Sequence, residues 1–176
     1  MRVQPTPLDG AWVIDLMPRS DARGFFSRVF CEEVYSEYGM NPHIAQINLS
    51  RSEQTGTLRG FHYQIHPHEE AKTVRCVKGR ILDVIIDLRP ESATRLRSFS
   101  TELSESNRRA LYVPEGMAHA FLTLEPQCEV LYTVSTPYAP ASERGIRWDD
   151  PVFKIQWPVS QPILSEKDAG WMDFSG

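Results

Sequence analysis

Short runs of alternating apolar side chains, separated by turn residues, are the feature that most restricts how this chain can fold. The clearest run is Arg80–Leu88, RILDVIIDL, which follows the run Lys72–Val77 after the dipeptide Lys78-Gly79. Its two faces carry Leu82, Val84, Ile86 and Leu88 on one side and Ile81, Asp83, Ile85 and Asp87 on the other. Alternation of this kind predicts a β-strand, and the Lys-Gly turn predicts a hairpin between the two runs.

The rest of the chain repeats this pattern in shorter runs. Further strands are predicted at Ala45–Leu49, Arg97–Glu102, Leu111–Val113, Ala120–Leu124 and Glu129–Ser135. One helix is predicted at Cys31–Tyr38, because Gly39 follows it. Thirteen prolines and ten glycines separate the runs, so we expect an all-β fold of antiparallel strands, a sandwich or a barrel such as a jelly roll. The tail Pro158–Gly176 is expected to fold back over it.

Length and composition favour one domain, residues 1–176, and narrow the classes of partner. The net charge is −4 and no basic block occurs, which argues against a nucleic-acid footprint. No apolar run approaches the length of a membrane span. Cys31, Cys76 and Cys128 are scattered and form no CxxC pair. Reduced cysteines and an N-terminus without an apolar leader segment lead us to expect a cytoplasmic protein.

Two segments match the sequence motifs of cupins. Leu111–His119, LYVPEGMAH, contains the pattern P-x-G-x-x-H and is expected to place His119 at the start of a strand. Gly60, His66, His68, Lys72 and Gly79 follow the spacing of the first cupin motif, with Lys72 where a glutamate ligand is usual. The resemblance implies a cupin-type jelly-roll barrel of antiparallel strands with one or two short helices. Because an ammonium repels a cation, we expect no metal, and we interpret His66 and His68 as part of a solvated loop.

A more specific resemblance begins at Leu58–Gln64, LRGFHYQ, which is similar to the LRGLHxQ segment of dTDP-4-dehydrorhamnose 3,5-epimerases. Other segments match the same family in the same order: Asp21-x-Arg23-Gly24-Phe25-Phe26, Gln46-x-Asn48-x-Ser50, Lys72-x-Val74-Arg75-Cys76, Asp83-Val84, Asp87-x-Arg89, Pro114-Glu115-Gly116-x-Ala118-His119, Leu131-Tyr132, Glu143, Trp148-x-Asp150, Trp157-Pro158 and Leu164-Ser165-x-Lys167-Asp168. They extend from about residue 9 to residue 168, which is nearly the whole chain.

The resemblance implies inversion of C3 and C5 of a nucleoside-diphosphate (NDP) 4-keto-6-deoxyhexose through an enolate. His62 is then the base, since a histidine titrates near neutral pH, and Asp168 is the partner that orients it. Tyr132 is the acid on the opposite face of the sugar, and its alternation with Val130 and Val134 is expected to point it inward. Lys72 would stabilise the C4 oxyanion. This chemistry requires neither a metal nor an organic cofactor.

The resemblance also implies contacts to the nucleotide. Arg23 and Arg59 suit bidentate contact with phosphate oxygens, and Gln46 and Asn48 suit a base or a ribose. His119 is expected to line the pocket near the sugar. The other positions implied as substrate contacts are Phe26, which stacks or packs, Arg28, Glu143 and Lys167. A homodimer is expected, in which an N-terminal segment reaches the site of the partner.

Three positions depart from the usual pattern of the thymidine family. Arg28 replaces a common glutamate, Arg19 replaces an aromatic residue, and Thr133 replaces a lysine. CDP- or GDP-linked sugars therefore stay open beside dTDP-linked ones, as does epimerisation of C3 or C5 alone. Two other classes of protein are weighed as well, a metal-dependent cupin oxygenase and a non-catalytic sugar-binding cupin.

Overall fold

The computed structural model covers residues 1–176 and contains thirteen strands and two short helices. The strands are β1 (Arg2–Pro5), β2 (Trp12–Asp15), β3 (Arg19–Asp21), β4 (Gly24–Phe26), β5 (Gln46–Ser52), β6 (Leu58–Gln64), β7 (Lys72–Lys78), β8 (Arg80–Asp87), β9 (Ser98–Ser104), β10 (Ala110–Val113), β11 (Met117–Thr123), β12 (Cys128–Val134) and β13 (Glu143–Gly145). The helices are α1 (Glu32–Glu37) and α2 (Glu166–Ala169). Neither helix has the length or apolar character that a membrane span requires.

The strands form two packed sheets and one separate hairpin. The larger sheet has six strands in the order β1-β2-β10-β7-β12-β5, and the smaller has five in the order β13-β6-β11-β8-β9. Strands β3 and β4 pair only with each other. Every pairing between named strands is antiparallel. The predicted all-β, cupin-type jelly roll with short helices is confirmed.

The main core lies between the two sheets. It comprises 14 buried side chains, among them Val74 of β7, Ile81 of β8 and Val130 of β12. A second cluster, which includes Phe61 and Val84, lies on the outer face of the five-stranded sheet. Phe174 of the tail packs on this second cluster, as does Trp157, which directly precedes the tail. The tail therefore folds back over the barrel, as expected.

The turn at Gly79 corrects the sequence prediction of a hairpin. Strands β7 and β8 flank this turn, yet they belong to different sheets and do not pair. The turn instead carries the chain from one sheet to the facing one, so that Cys76 and Ile81 enter the same core. Gly79 has φ +76°, and a Cβ there would lie 2.7 Å from Cys128 Sγ. Glycine therefore suits both the backbone conformation and the close approach.

Several predicted boundaries shift by a few residues. Strand β11 begins at Met117, so His119 is its third residue and not its first. Strand β5 continues to Ser52, beyond the predicted end at Leu49. Strands β1 to β4, β6 and β13 are absent from the sequence prediction. In β6, the pattern of LRGFHYQ does not alternate cleanly between apolar and polar side chains.

Candidate active site

A cavity of about 240 Å³ opens where the core between the two sheets changes from apolar to polar side chains. Its lining residues are Ser50, Arg59, His62, Lys72, His119, Phe121, Tyr132, Ser165, Lys167 and Asp168. Strands β7, β11 and β12 bury apolar neighbours such as Val74, Phe121 and Val130 in the core and present Lys72, His119 and Tyr132 to the cavity. Seven of the thirteen site residues predicted from the sequence therefore meet in one place.

His62 and Asp168 form a close pair in the wall of the cavity. His62 Nε2 lies 2.6 Å from Asp168 Oδ1, although 106 positions separate the two residues in the chain. Helix α2 supplies Asp168, and the Ser165 hydroxyl caps that helix by accepting from the Asp168 N–H. The Gly60 N–H also donates to Asp168 Oδ2, at 3.4 Å.

This environment keeps Asp168 ionised. Burial alone would raise the pKa of Asp168, but the hydrogen bond and the charge of His62 outweigh it, and the pKa is lowered. An ionised carboxylate can only accept a hydrogen bond, so Nε2 of His62 carries the hydrogen that it donates to Asp168, and Nδ1 keeps the free lone pair. That lone pair makes His62 a competent base.

Tyr132 and Lys72 occupy the wall opposite His62. Both belong to the six-stranded sheet, whereas His62 and His119 belong to the five-stranded sheet. Burial, and then the negative charge of Glu70, raises the pKa of Tyr132. The hydroxyl is therefore protonated at neutral pH and able to act as an acid. The inward direction predicted for Tyr132 is observed, since its ring packs against the main core.

Lys72 forms an ion pair with a residue that the sequence placed in a solvated loop. Lys72 Nζ lies 2.9 Å from Glu70 Oε1, and both side chains are nearly buried. His66, by contrast, is exposed beside Glu69, and His68 Nδ1 lies 2.9 Å from the Ser142 hydroxyl. The segment HPHEEAK is thus solvated at His66 but turns inward at Glu70. No three histidine, cysteine or acidic side chains converge to form a metal site.

His119 belongs to a second histidine–carboxylate pair. His119 Nε2 lies 2.8 Å from Asp83 Oδ1, and Asp83 is fully buried in the neighbouring strand β8. The other oxygen, Asp83 Oδ2, has no hydrogen-bond partner. The pair fixes the ring of His119 at the cavity wall.

Glu143, Gln46 and Lys167 meet around Tyr138, a residue not predicted from the sequence. The Tyr138 hydroxyl donates to Glu143 Oε2 at 2.7 Å, and its backbone N–H donates to Gln46 Oε1 at 3.2 Å. Lys167 Nζ lies 2.6 Å from Glu143. The Tyr138 ring is 55% exposed. Strong local hydrogen bonds thus hold an exposed aromatic ring beside the cavity-lining residue Lys167.

The remaining predicted residues lie outside the cavity. Asn48 of β5 pairs with Tyr132 in the sheet. Arg23 and Phe26 are exposed on the β3–β4 hairpin, where Arg23 pairs with Asp21 at 2.6 Å. Arg28 and Arg19 line a separate cavity of about 250 Å³. Within a single chain, the N-terminal residues are therefore not brought together with His62.

Trp171 is a further neighbour of the site, and no motif in the sequence points to it. Its ring meets the His62 ring edge-on, with centroids 6.5 Å apart. It lies so close to Gly145 of β13 that a Cβ on this glycine would overlap the indole. The mixed composition of the tail carries no signal for this contact, which depends on how the tail folds back.

The sequence model of the family described as dTDP-4-dehydrorhamnose 3,5-epimerase matches residues 5–176. The chain belongs to this family. The resemblance drawn from the short motifs is therefore confirmed over almost the full length.

Individual relatives agree with this assignment. A dTDP-4-dehydrorhamnose 3,5-epimerase of Shigella flexneri is 38% identical over 175 residues, covering 99% of this chain and 96% of that protein. The crystal structure of the Bacillus anthracis enzyme of the same name, with TDP and PPi bound, superposes with a TM-score of 0.95 at 36% identity, covering 98% of this chain and 99% of that one. A dTDP-4-dehydrorhamnose 3-epimerase of Streptomyces niveus is 37% identical over 169 residues, covering 96% of this chain and 81% of that protein.

Proposed function

We propose that this chain is an epimerase that inverts C3 and C5 of an NDP-4-keto-6-deoxyhexose, converting dTDP-4-dehydro-6-deoxyglucose to dTDP-4-dehydrorhamnose. The observation that carries the proposal is the placement of His62 and Tyr132 on opposite walls of one cavity. Inversion needs a base on one face of the sugar and an acid on the other, and this arrangement provides both. The names of the relatives support the same reaction.

His62 begins each inversion by removing the proton from a carbon next to the C4 carbonyl. The electron pair of that C–H bond moves toward the carbonyl oxygen and forms an enolate, which the ammonium of Lys72 stabilises. Tyr132 then donates its hydroxyl proton to the opposite face of the same carbon, and the carbonyl re-forms. Exchange with water removes the proton from His62 and restores the one on Tyr132. The paired carboxylate of Asp168 supports the imidazolium in between.

The nucleotide would extend from the sugar toward the Tyr138 side of the cavity. Arg59 lines the cavity and suits the diphosphate. Ser50 also lines it, and its buried hydroxyl has no partner in the protein. Tyr138 offers an exposed ring on which a base can stack, held in place by Glu143. Gln46 accepts from the Tyr138 N–H and Lys167 pairs with Glu143, so both lie on this side, and the family resemblance implies Asn48 as a further contact.

We also propose a homodimer formed through the outer face of the six-stranded sheet. Helix α1 covers one half of this face. The other half exposes Ile47 and Leu49 of β5 and Val77 of β7, beside an apolar groove of about 350 Å³. An apolar strip of this kind on an edge strand calls for a partner. In the dimer, the β3–β4 hairpin would carry Arg23 and Phe26 to the neighbouring cavity.

Mixing two inactive variants tests this arrangement. Arg23→Ala removes a contact made to the partner's site, and His62→Asn removes the base of the chain's own site. If Arg23 acts across the dimer, mixed dimers contain one site with both defects and one intact site, so activity returns after subunit exchange. A monomeric mass in a fully active sample, measured by light scattering, would contradict the proposal.

Solvent exchange tests the reaction itself. Wild-type protein and dTDP-4-keto-6-deoxyglucose are incubated in deuterated water, and proton NMR follows the signals at C3 and C5. We expect deuterium at both carbons, and a loss of roughly 10²–10⁴-fold in the exchange rate for His62→Asn. Absence of exchange by folded wild-type protein with dTDP-, CDP- and GDP-linked 4-keto sugars would refute the proposed function.

The same experiment distinguishes a second candidate, epimerisation of C3 alone. The Streptomyces niveus relative, a 3-epimerase by name, resembles this chain about as closely as the 3,5-epimerases do. Deuterium confined to C3 would favour this second function.

A further inference from the structure

Glu70 is an acidic side chain that lies behind the wall of the active site. It precedes β7, and its carboxylate holds Lys72 Nζ at 2.9 Å through Oε1. Side-chain exposure is only 11% for Glu70 and 10% for Lys72. Glu70 itself does not line the cavity, whereas Lys72 does. Any effect of Glu70 on the reaction is therefore exerted through its neighbours.

A second contact fixes the other oxygen of Glu70. Gln64 Nε2 donates to Glu70 Oε2 at 3.3 Å and to the carbonyl of His68 at 2.9 Å. Gln64 Oε1 accepts from the Ala139 N–H at 2.6 Å. Because Gln64 is buried and fully engaged, the carboxylate of Glu70 has little freedom to turn away from Lys72.

The negative charge of Glu70 also affects Tyr132, the proposed acid. Tyr132 lies on β12, the strand next to β7, and faces the same cavity as Lys72. Its pKa is raised by burial and by Glu70, and Arg59 opposes this shift. The ionisable groups that share the cavity with Tyr132 are Arg59 and His62 on β6, Lys72 on β7, His119 on β11, and Lys167 and Asp168 on α2. Asp168 is hydrogen-bonded to His62. Glu70 is therefore the anion whose charge most affects the pKa of Tyr132.

We propose that Glu70 is a positioning residue of this active site: it holds the Lys72 ammonium against the cavity wall and places a negative charge behind that wall, to which Tyr132 also belongs. The inference rests on the proposed epimerase function. A buried ion pair is costly to form and is strongly disturbed when one partner is removed. Its presence beside the residue that stabilises the enolate is therefore explained by the geometry it imposes on Lys72.

Two substitutions separate the position of the carboxylate from its charge. Glu70→Asp keeps the charge but withdraws it from Lys72 by one methylene, so we expect kcat to fall several-fold with little change in KM. Glu70→Gln keeps the size and removes the charge, which favours the phenolate of Tyr132. The alkaline limb of the kcat–pH profile should then move to lower pH.

Glu69→Gln is the matched control. It removes the same charge from the adjacent residue, whose carboxylate lies 3.6 Å from the exposed His66 and outside the cavity. We expect its pH profile and kcat to match those of wild type. Thermal melts of all three variants report whether the fold is intact.

The outcomes are distinguishable from failure of the proposed function. If wild-type protein exchanges no sugar proton with solvent, the function itself is wrong. If wild type is active and Glu70→Gln keeps the wild-type pH profile, or shifts no more than Glu69→Gln, the charge role of Glu70 is wrong. If Glu70→Gln does not fold, Glu70→Asp decides the matter, because an unchanged kcat in that variant overturns the positioning role.

Discussion

Replacing Asp168 by asparagine tests the His62–Asp168 pair with little disturbance of the fold. The amide has the shape of the carboxylate, and its oxygen still accepts from the Gly60 N–H, which donates to Asp168 Oδ2 at 3.4 Å in the native structure. The cap of α2 also survives, because it uses the backbone N–H of residue 168 and the Ser165 hydroxyl. What is lost is the negative charge 2.6 Å from His62 Nε2.

The structure bounds the expected effect. A hydrogen bond to a charged group contributes about 1.5–3 kcal/mol, which corresponds to roughly 10- to 150-fold in rate if it acts mainly on the imidazolium. The amide adds a second penalty. Its NH₂ group can donate to Nε2 of His62, which favours the imidazole tautomer that carries its hydrogen on Nδ1. The lone pair needed for proton removal would then be occupied. We expect kcat to fall on the order of 10²-fold, within the range of a lost general base.

The assay follows proton exchange at C3 and C5 in deuterated water together with product formation. Both rates should fall by the same factor in Asp168→Asn, because the defect lies in the first proton transfer. A thermal melt serves as the control for folding. A folded Asp168→Asn variant with kcat within twofold of wild type would show that His62 needs no carboxylate, and the mechanism would have to be revised.

Three further predictions concern the acid, the nucleotide and stability. Tyr132→Phe should still exchange a sugar proton with solvent, because His62 is intact, but should fail to complete inversion; inverted product at the normal rate would contradict the two-face mechanism. Arg28 stands where the thymidine-family pattern commonly has a glutamate, and it lines a cavity together with Arg19. Arg28→Glu should raise kcat/KM for dTDP-linked relative to CDP- and GDP-linked 4-keto sugars by about 10-fold. An unchanged ratio would mean that this arginine does not contact the nucleotide. Burial opposes ionisation of Asp87, yet hydrogen bonds from Arg89, Ser92 and Thr94 lower its pKa from 3.8 to about 2. This shift contributes about 2 kcal/mol to the free energy of unfolding at neutral pH, and that contribution is lost as the pH falls from about 4 to 2. In urea unfolding, Asp87→Asn should therefore be less stable than wild type at pH 7 and differ less from it near pH 2. Equal stability of the two proteins at pH 7 would contradict this prediction.

The sequence by itself determined the fold class and the family, and it selected most of the residues that line the cavity. Strand β8 was predicted within one residue of its observed end, because alternation depends only on which side chains face the core. The same alternation predicted that Tyr132 points inward from β12. The motif LRGFHYQ identified His62 and Arg59, since both are local in the chain and both line the observed cavity.

The tertiary structure decided what depends on contacts between distant segments. Side chains alternate in the same way whether the next strand pairs in the same sheet or packs in the facing one. The sequence therefore predicts a hairpin at Gly79, whereas the structure has a crossover between the two sheets. Glu70 belongs to a polar run typical of a loop, and only the partner Lys72 reveals that it is buried. Trp171 reaches His62 because the tail folds back over β13. Burial and pairing of this kind depend on contacts between segments that are distant in the chain, so no local pattern of side chains can predict them.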